Sequence, residues 1–285
     1  MSTFKICSLL IGLSVVLGFL GPSSVTLAQT ASQPTAARGQ PAAAPERDWR
    51  SPKPDTTPFD PHDLNGTWAT GSIRNTTGKE VPPFTPAGKA LFDANKPSYS
   101  NRGVTYTETN DPMRYCDPVG FPRVIFYEFR HMEFVQTPSK VVQLFQLNAT
   151  WREIWTDSRK LPTNAGKAGG PDLRWFGYSV GRWDGNTFVV ETTGADERSW
   201  LDEYGDPHSG DIVVEERYTR MDHDTMKLTV TVDDPKMYTK PFVAQPGLTF
   251  HLEPSISLPE QICVPSDMEI YRQFAAGADG QTNNK

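Results

Sequence analysis

The sequence predicts an all-β protein, an antiparallel up-and-down β-barrel with one or two short helices. Three observations carry this reading. Period-two alternation of apolar and polar residues recurs through the second half of the chain, turn residues separate the alternating runs at short intervals, and helix signals are sparse. Sequential hairpins of similar length make a meander, and a meander of eight or more strands removes its exposed edges by curling closed. An irregular proline-rich N-terminal arm is expected to pack outside the barrel.

The N-terminal segment, residues 1–28, has the layout of a secretory signal peptide. Lys5 supplies a positive start, Ile6 to Leu20 is almost wholly apolar, Gly21-Pro22 breaks the run, and Thr26-Leu27-Ala28 offers small residues for cleavage. The apolar run is shorter than the ~20 residues a spanning helix needs. Residues 29–57 are rich in Ala, Pro, Gln and Thr and read as a disordered spacer. A single barrel domain is expected over 58–274 and a flexible tail over 275–285. The expected location is periplasmic or extracellular, with no membrane partner after cleavage.

The net charge is −6, and the leader carries one charged side chain, Lys5. Basic residues are interspersed with acidic ones and form no stripe suited to nucleic acid, so a nucleic-acid partner is not expected. Cys7 leaves with the leader, which leaves Cys116 and Cys263. A pair in an oxidising compartment reads as one disulfide, and neither CxxC nor a neighbouring His suggests redox or metal work.

Strands are predicted over Arg123 to Glu128, His131 to Thr137, Val141 to Leu147 and Thr150 to Thr156. Trp175 to Trp183 and Thr187 to Thr193 meet across Asp184-Gly185-Asn186, where the Asp-Gly step is a strong hairpin signal. Asp211 to Arg220 and Thr225 to Val232 meet across Asp222-His223-Asp224, and Leu248 to Glu253 is a late strand. One helix is expected over Pro86 to Asn95, with Thr85 as N-cap and proline at the first helical position. A second is expected over Pro265 to Phe274, with Ser266 as N-cap and Glu269 three residues on.

Asp63-Leu64-Asn65-Gly66-Thr67-Trp68 resembles the opening strand of lipocalin-like (calycin) barrels, which begin with Gly-x-Trp. A broader resemblance rests on PPFTPAGKALFDANKP, NDPMRYCDPVGFPR, REIWTDSRKLP, GYSVGRWDGNTFVVETTG, WLDEYGDPHS and the stretch from Val214 to Pro241. In that order these segments resemble a large family of exported bacterial proteins. The resemblance implies one secreted domain and no particular activity.

The loop from Gly194 to Gly210 collects Asp196, Glu197, Arg198, Trp200, Asp202, Glu203, Tyr204, Asp206 and His208 between two strands. Connections this long are commonly lids or binding loops. His208 is therefore the first candidate for general acid or base, with Asp202 to orient it. His131 and Glu133 share one face of a strand and would form a proton-transfer pair if that face lined the interior. Trp151, Glu153 and Trp155 share a face opposite Arg152 and Ile154. Trp175, Gly177, Ser179, Gly181 and Trp183 share another, opposite Phe176, Tyr178 and Val180. Arg152 and Tyr178, opposite the Trp rows, are candidates to hold a carbonyl or carboxylate oxygen. Trp155, Trp175 and Trp200 are candidate aromatic walls. Glu191 is either desolvated or at a solvent-facing strand end, and one of Glu215, Glu216 and Arg217 must point inward on a central strand.

No metal and no cofactor is expected. The five histidines are isolated along the chain, and neither GxGxxG nor a P-loop occurs. Gly177-Tyr178-Ser179-Val180-Gly181 spells GxSxG but lies within a strand pattern, not at a strand-to-helix turn. Two functions compete. One is a cofactor-independent lyase, hydratase or isomerase that works by acid-base catalysis on an apolar or aromatic small molecule. The other is a non-catalytic lipocalin-like binding protein for such a molecule. The sequence carries no signal for oligomeric state.

Overall fold

A computed structural model describes residues 56–70, 81–98, 101–126 and 131–282, with side chains as far as residue 276. The expected leader and most of the spacer lie outside the described residues. Nine strands form a closed barrel: β1 (Gly66–Thr70), β2 (His131–Gln136), β3 (Lys140–Phe145), β4 (Thr150–Trp155), β5 (Tyr178–Asp184), β6 (Thr187–Thr193), β7 (Val213–Arg220), β8 (Thr225–Asp233) and β9 (Phe242–Leu252). Sequence neighbours pair throughout, and β9 closes onto β1 through Trp68↔Leu252, Ala69↔His251 and Thr70↔Phe250.

The barrel departs from the expected all-antiparallel order at one place. β4 and β5 run parallel, paired at Ile154↔Ser179 and Trp155↔Val180. Parity requires such a step, because an odd ring of strands cannot alternate direction all the way round. A parallel step also needs a return connection, since a tight hairpin joins only antiparallel strands. Residues 156–177 make that return.

Alternation sets the inner face. Along β7, Val214, Glu216, Tyr218 and Arg220 are buried, and along β8, Met226, Leu228, Val230 and Val232 are buried. Trp68, Met132, Phe134, Phe145, Ile154, Phe188 and Phe250 complete the apolar part of the core. At one end, Arg220 Nη1 donates to the Asp63 carbonyl at 2.6 Å and His62 lies 4.3 Å from the Trp183 ring. The other end is covered by residues 119–126 and by the loop after β6, where Phe121 and Leu201 are fully buried.

Several boundaries differ from the sequence reading. Arg123–Phe126 is a helical turn, α2, not part of a strand, and all four of its residues are buried. After Arg123 the run Val124-Ile125-Phe126 is continuously apolar, so its local pattern does not distinguish the two conformations. The proline-rich irregular segment lies largely between β1 and β2, as residues 81–126, so it interrupts the barrel order instead of preceding it. It carries α1 (Pro86–Ala94) and a 3₁₀ turn (Pro112–Tyr115). Thr85 caps α1 by accepting from the Gly88 amide at 3.0 Å. A Cβ at Gly88 would lie 2.1 Å from the Met237 carbonyl oxygen, so only glycine lets this helix dock there. The C-terminal helix, α3 (Pro265–Thr282), is longer than expected.

Cys116 and Cys263 form the expected disulfide, with Cα atoms 5.4 Å apart across 147 residues of sequence. It ties the 3₁₀ turn to the segment leading into α3. For a loop of this length the chain-entropy contribution is about 4–5 kcal/mol as an upper figure. Cys116→Ser with Cys263→Ser is expected to lower the unfolding free energy by a large part of that amount in urea titrations. An unchanged midpoint would show that the crosslink contributes nothing to stability.

Candidate functional site

The polar centre of the barrel is built around Arg152. Its place on β4, two residues from Ile154, turns it inward, where it is 4 % exposed. Its guanidinium meets Glu216 on β7 through two bonds, Nη1 to Oε1 at 2.9 Å and Nη2 to Oε2 at 2.5 Å. Nε donates to Gln143 Oε1 on β3 at 2.7 Å, and Tyr218 Oη donates to Glu216 Oε2 at 2.7 Å. Ser179 and Thr192 hydroxyls, 2.8 Å apart, complete the ring on β5 and β6. The Phe121 ring covers the guanidinium at 4.1 Å. Burial, then the Glu216 carboxylate, pushes the Tyr218 phenol well above its ordinary range. Five strands are thus joined by one network that occupies the barrel's inner space.

The loop after β6 is packed, not open. Trp200, Leu201, Asp202, Asp206, His208 and Ser209 are all buried, and Arg123 lies 5.5 Å from the Trp200 ring. The loop satisfies its own polar groups. Asp202 Oδ1 accepts from the Tyr204 amide at 2.9 Å and the Asp206 amide at 3.2 Å. Asp234, from beyond β8, accepts from the Ser209 amide at 2.6 Å and the Ser209 hydroxyl at 2.9 Å. Tyr238 donates to the Pro207 carbonyl at 2.7 Å.

His208 sits beneath this loop, 2 % exposed. Its Nδ1 faces the Ser209 carbonyl at 3.2 Å, and its Nε2 lies 2.9 Å from Ser199 Oγ, a hydroxyl shared with the Asp196 carbonyl at 2.9 Å. A proton on Nδ1 would serve the Ser209 carbonyl and one on Nε2 would serve Ser199 Oγ, whose own proton goes to the Asp196 carbonyl. A serine beside a histidine acceptor is the arrangement that activates a nucleophile. Here, however, a Cβ at Gly120 would lie 2.3 Å from Ser199 Oγ, so backbone already occupies the space a substrate needs. The carboxylates whose charge bears on His208 are Asp234, Asp196 and Glu197; burial outweighs them and lowers its pKa. His208 and Arg152 have no shared hydrogen-bond partner, and Gly120-Phe121 lies between their surroundings.

The remaining expected residues face outward. The register Ile154↔Ser179 puts Ser179 inside with Ile154 and turns Tyr178 out. Gly181 explains this choice of face: a Cβ there would lie 2.5 Å from Phe188 Cζ and 2.9 Å from Ile154 Cγ2, so the inner position admits only glycine. Tyr178 Oη donates to the Asp172 carbonyl at 2.7 Å. His131 and Glu133 are half-buried on the outer face of β2, where His131 Nδ1 lies 3.1 Å from Gln146 Oε1. Glu191 pairs with Arg182 at 2.9 Å on the outer wall. The charge that must point inward on β7 is Glu216.

A cleft of about 570 Å³ opens on the outer wall at the parallel step. The outer face of β4 forms one side, and the return connection with the entry to β5 forms the other. Trp151, Trp155, Trp175, Phe176 and Tyr178 supply its rings. Arg159 lies 3.5 Å from the Trp155 ring, Arg174 lies 4.3 Å from the Tyr178 ring, and Arg198 lies 4.3 Å from the Trp175 ring. Trp155 and Trp175 are therefore brought together as expected walls, whereas Trp200 belongs to the loop core. Sequence reasoning placed Trp151 on the same face as Trp155 without naming it a wall, and did not single out Arg159, Lys160 and Arg174. The signal available was the repeated mixture of rings and cations in WREIWTDSRK and RWFGY.

Among the described residues no group of three or more His, Cys, Asp or Glu side chains is arranged to hold a metal ion. No helix among them is long and apolar enough to cross a membrane. Comparison with protein-family models, curated proteins and solved structures finds no match.

Two outcomes follow for stability. Removing one member of a buried ion pair leaves an uncompensated charge, which costs about 3–5 kcal/mol. Glu216→Leu is expected to lose that amount in urea unfolding, and Arg152→Met with Glu216→Leu is expected to recover at least half of it. For His208, a folded-state pKa below the unfolded value of ~6.5 means the unfolded chain binds the proton more readily below that pH. Stability from this group is therefore present above pH ~6.5 and lost as pH falls below it. The melting temperature is expected to drop between about pH 7 and pH 5, and His208→Gln is expected to flatten that slope.

Proposed function

We propose that this protein is an exported, lipocalin-like binding protein, of the family of exported proteins its segments resemble. It retains a small aromatic or apolar molecule in the cleft between β4 and the return connection. The observation that carries the reading is the contrast between two places. The outer cleft is open and lined by five aromatic side chains, a composition suited to small-molecule retention. The barrel's inner space is taken by the Arg152–Glu216 network, where a ligand would have to displace a buried ion pair.

The competing acid-base reading needs His208, Asp202, Arg152 and Tyr178 around one substrate. Tyr178 faces outward and His208 is covered by Gly120 and Ser199. A catalytic cycle at His208 would require the whole loop to lift. The disulfide is consistent with an oxidising, extracytoplasmic compartment.

The test is to incubate the mature protein with extracts of its native growth medium and follow compounds by mass spectrometry. Binding predicts recovery of an unchanged compound with the protein at no more than one equivalent, lost in Trp151→Ala with Trp175→Ala. Depletion of a compound over many equivalents, abolished by His208→Ala, would overturn the reading in favour of catalysis.

A further inference from the structure

We infer that the cleft selects an aromatic carboxylate, its anion held by Arg174 and Lys160 and its ring laid on Trp151. This rests on the binding reading above and adds the chemistry of the ligand.

The charged residues at the cleft are Arg152, whose side chain turns into the barrel, and Glu153, Arg159, Lys160 and Arg174. Three of them are already compensated. Arg152 is paired with Glu216, Glu153 with Lys140, and Arg159 with Asp157. Among the described residues Lys160 and Arg174 have no carboxylate partner. The cleft thus holds two uncompensated cations in a protein whose net charge is −6. A local positive field in an acidic protein concentrates anions at that place and repels them elsewhere.

Arg174 is also pre-positioned. Three arginines lie against rings around the cleft, and the other two spend their N–H edges on carboxylates: Arg159 on Asp157 at 2.6 Å, Arg198 on Asp196 at 2.7 Å. Arg174 has the same support beneath it and nothing on its edge. Its amide donates to the Gly194 carbonyl at 3.0 Å, and its carbonyl accepts from the Gly177 amide at 3.0 Å and the Asp196 amide at 2.9 Å. Its guanidinium lies against Tyr178, itself anchored through Oη to the Asp172 carbonyl. A planar guanidinium fixed on one face presents its N–H fork to a two-oxygen acceptor, which is the geometry of a carboxylate. Little side-chain freedom remains to be lost on binding.

The ring preference follows by elimination among the walls. Trp155 carries Lys140 and Arg159, Trp175 carries Arg198, and Phe176 is stacked on Phe145. Trp151 is 62 % exposed and has no cation or ring against it among the described residues. It is the wall with an open face, and aromatic partners prefer an offset stack on such a face.

The experiment uses the mature, disulfide-bonded chain in isothermal titration with two probes of one shape, 2-naphthoate and its neutral amide, 2-naphthamide. The acid is expected to bind about 10-fold more tightly at low salt, the size of a charge-assisted contact in a partly exposed site. Arg174→Ala is expected to bring the two probes within about 2-fold, whereas Arg182→Ala, on β5 and outside the cleft, leaves the gap intact. Trp151→Ala is expected to weaken both probes together. Equal binding of acid and amide by the wild type, or a gap that survives Arg174→Ala, overturns the carboxylate inference and leaves the cleft standing. If neither probe binds at millimolar concentration, the cleft reading fails and this inference with it. All three substituted residues are exposed, and an unchanged melting temperature confirms that each variant is folded.

Discussion

The ion pair between Arg152 and Glu216 determines what the rest of the barrel can do. A closed barrel of about this strand number has room for packed side chains or for one small ligand. Here the central space is filled by a guanidinium, a carboxylate, an amide and a phenol that satisfy one another. None of these groups can be released cheaply, because each would leave its neighbour charged or unpaired in an apolar surround. The network joins β3, β4 and β7 directly and reaches β5 and β6 through hydroxyls, so it also fixes which faces of those strands turn inward. On the proposed binding reading, recognition is thereby displaced from the lumen to the wall.

The wall can take that role because of the strand count. Nine strands in a ring require a parallel neighbour pair, and the chain makes it between β4 and β5. The return connection has to travel the length of the barrel on the outside. In doing so it brings Arg159 and Lys160 to one rim of the cleft and delivers Arg174 and Trp175 to the other. Glycine positions allow the re-entry: Gly177 has φ +62, and a Cβ there would lie 2.5 Å from the Thr193 carbonyl oxygen. The cleft is thus a consequence of topology before it is a consequence of any single side chain.

Much of the fold was legible because it is local. Thr187–Thr193 is rich in β-branched residues and follows an Asp-Gly step, so strand and turn are both written in a dozen residues. Thr85-Pro86 announces α1 for the same reason. The parallel step was not legible, since period-two alternation is identical in strands of either direction. Both face sets around β5 were separable, yet which set is inward depends on Gly181 meeting Phe188 and Ile154, contacts made from β6 and β4. The loop from Gly194 to Gly210 misled for a different reason. Its ionisable residues suggest exposure, but the Asp202 carboxylate accepts from the Tyr204 and Asp206 amides, Asp196 pairs with Arg198, and the loop packs as core. The cleft was half legible: Trp155 and Trp175 were identified, but the uncompensated state of Arg174 depends on partners that only the fold assigns.

The most direct measurement is hydrogen–deuterium exchange of the mature protein with and without saturating 2-naphthoate. Binding at the wall predicts added protection in residues 150–162 and 173–180, with residues 194–210 and the strands β7 and β8 unchanged. Protection concentrated in residues 194–210 would contradict that account and return the site to His208.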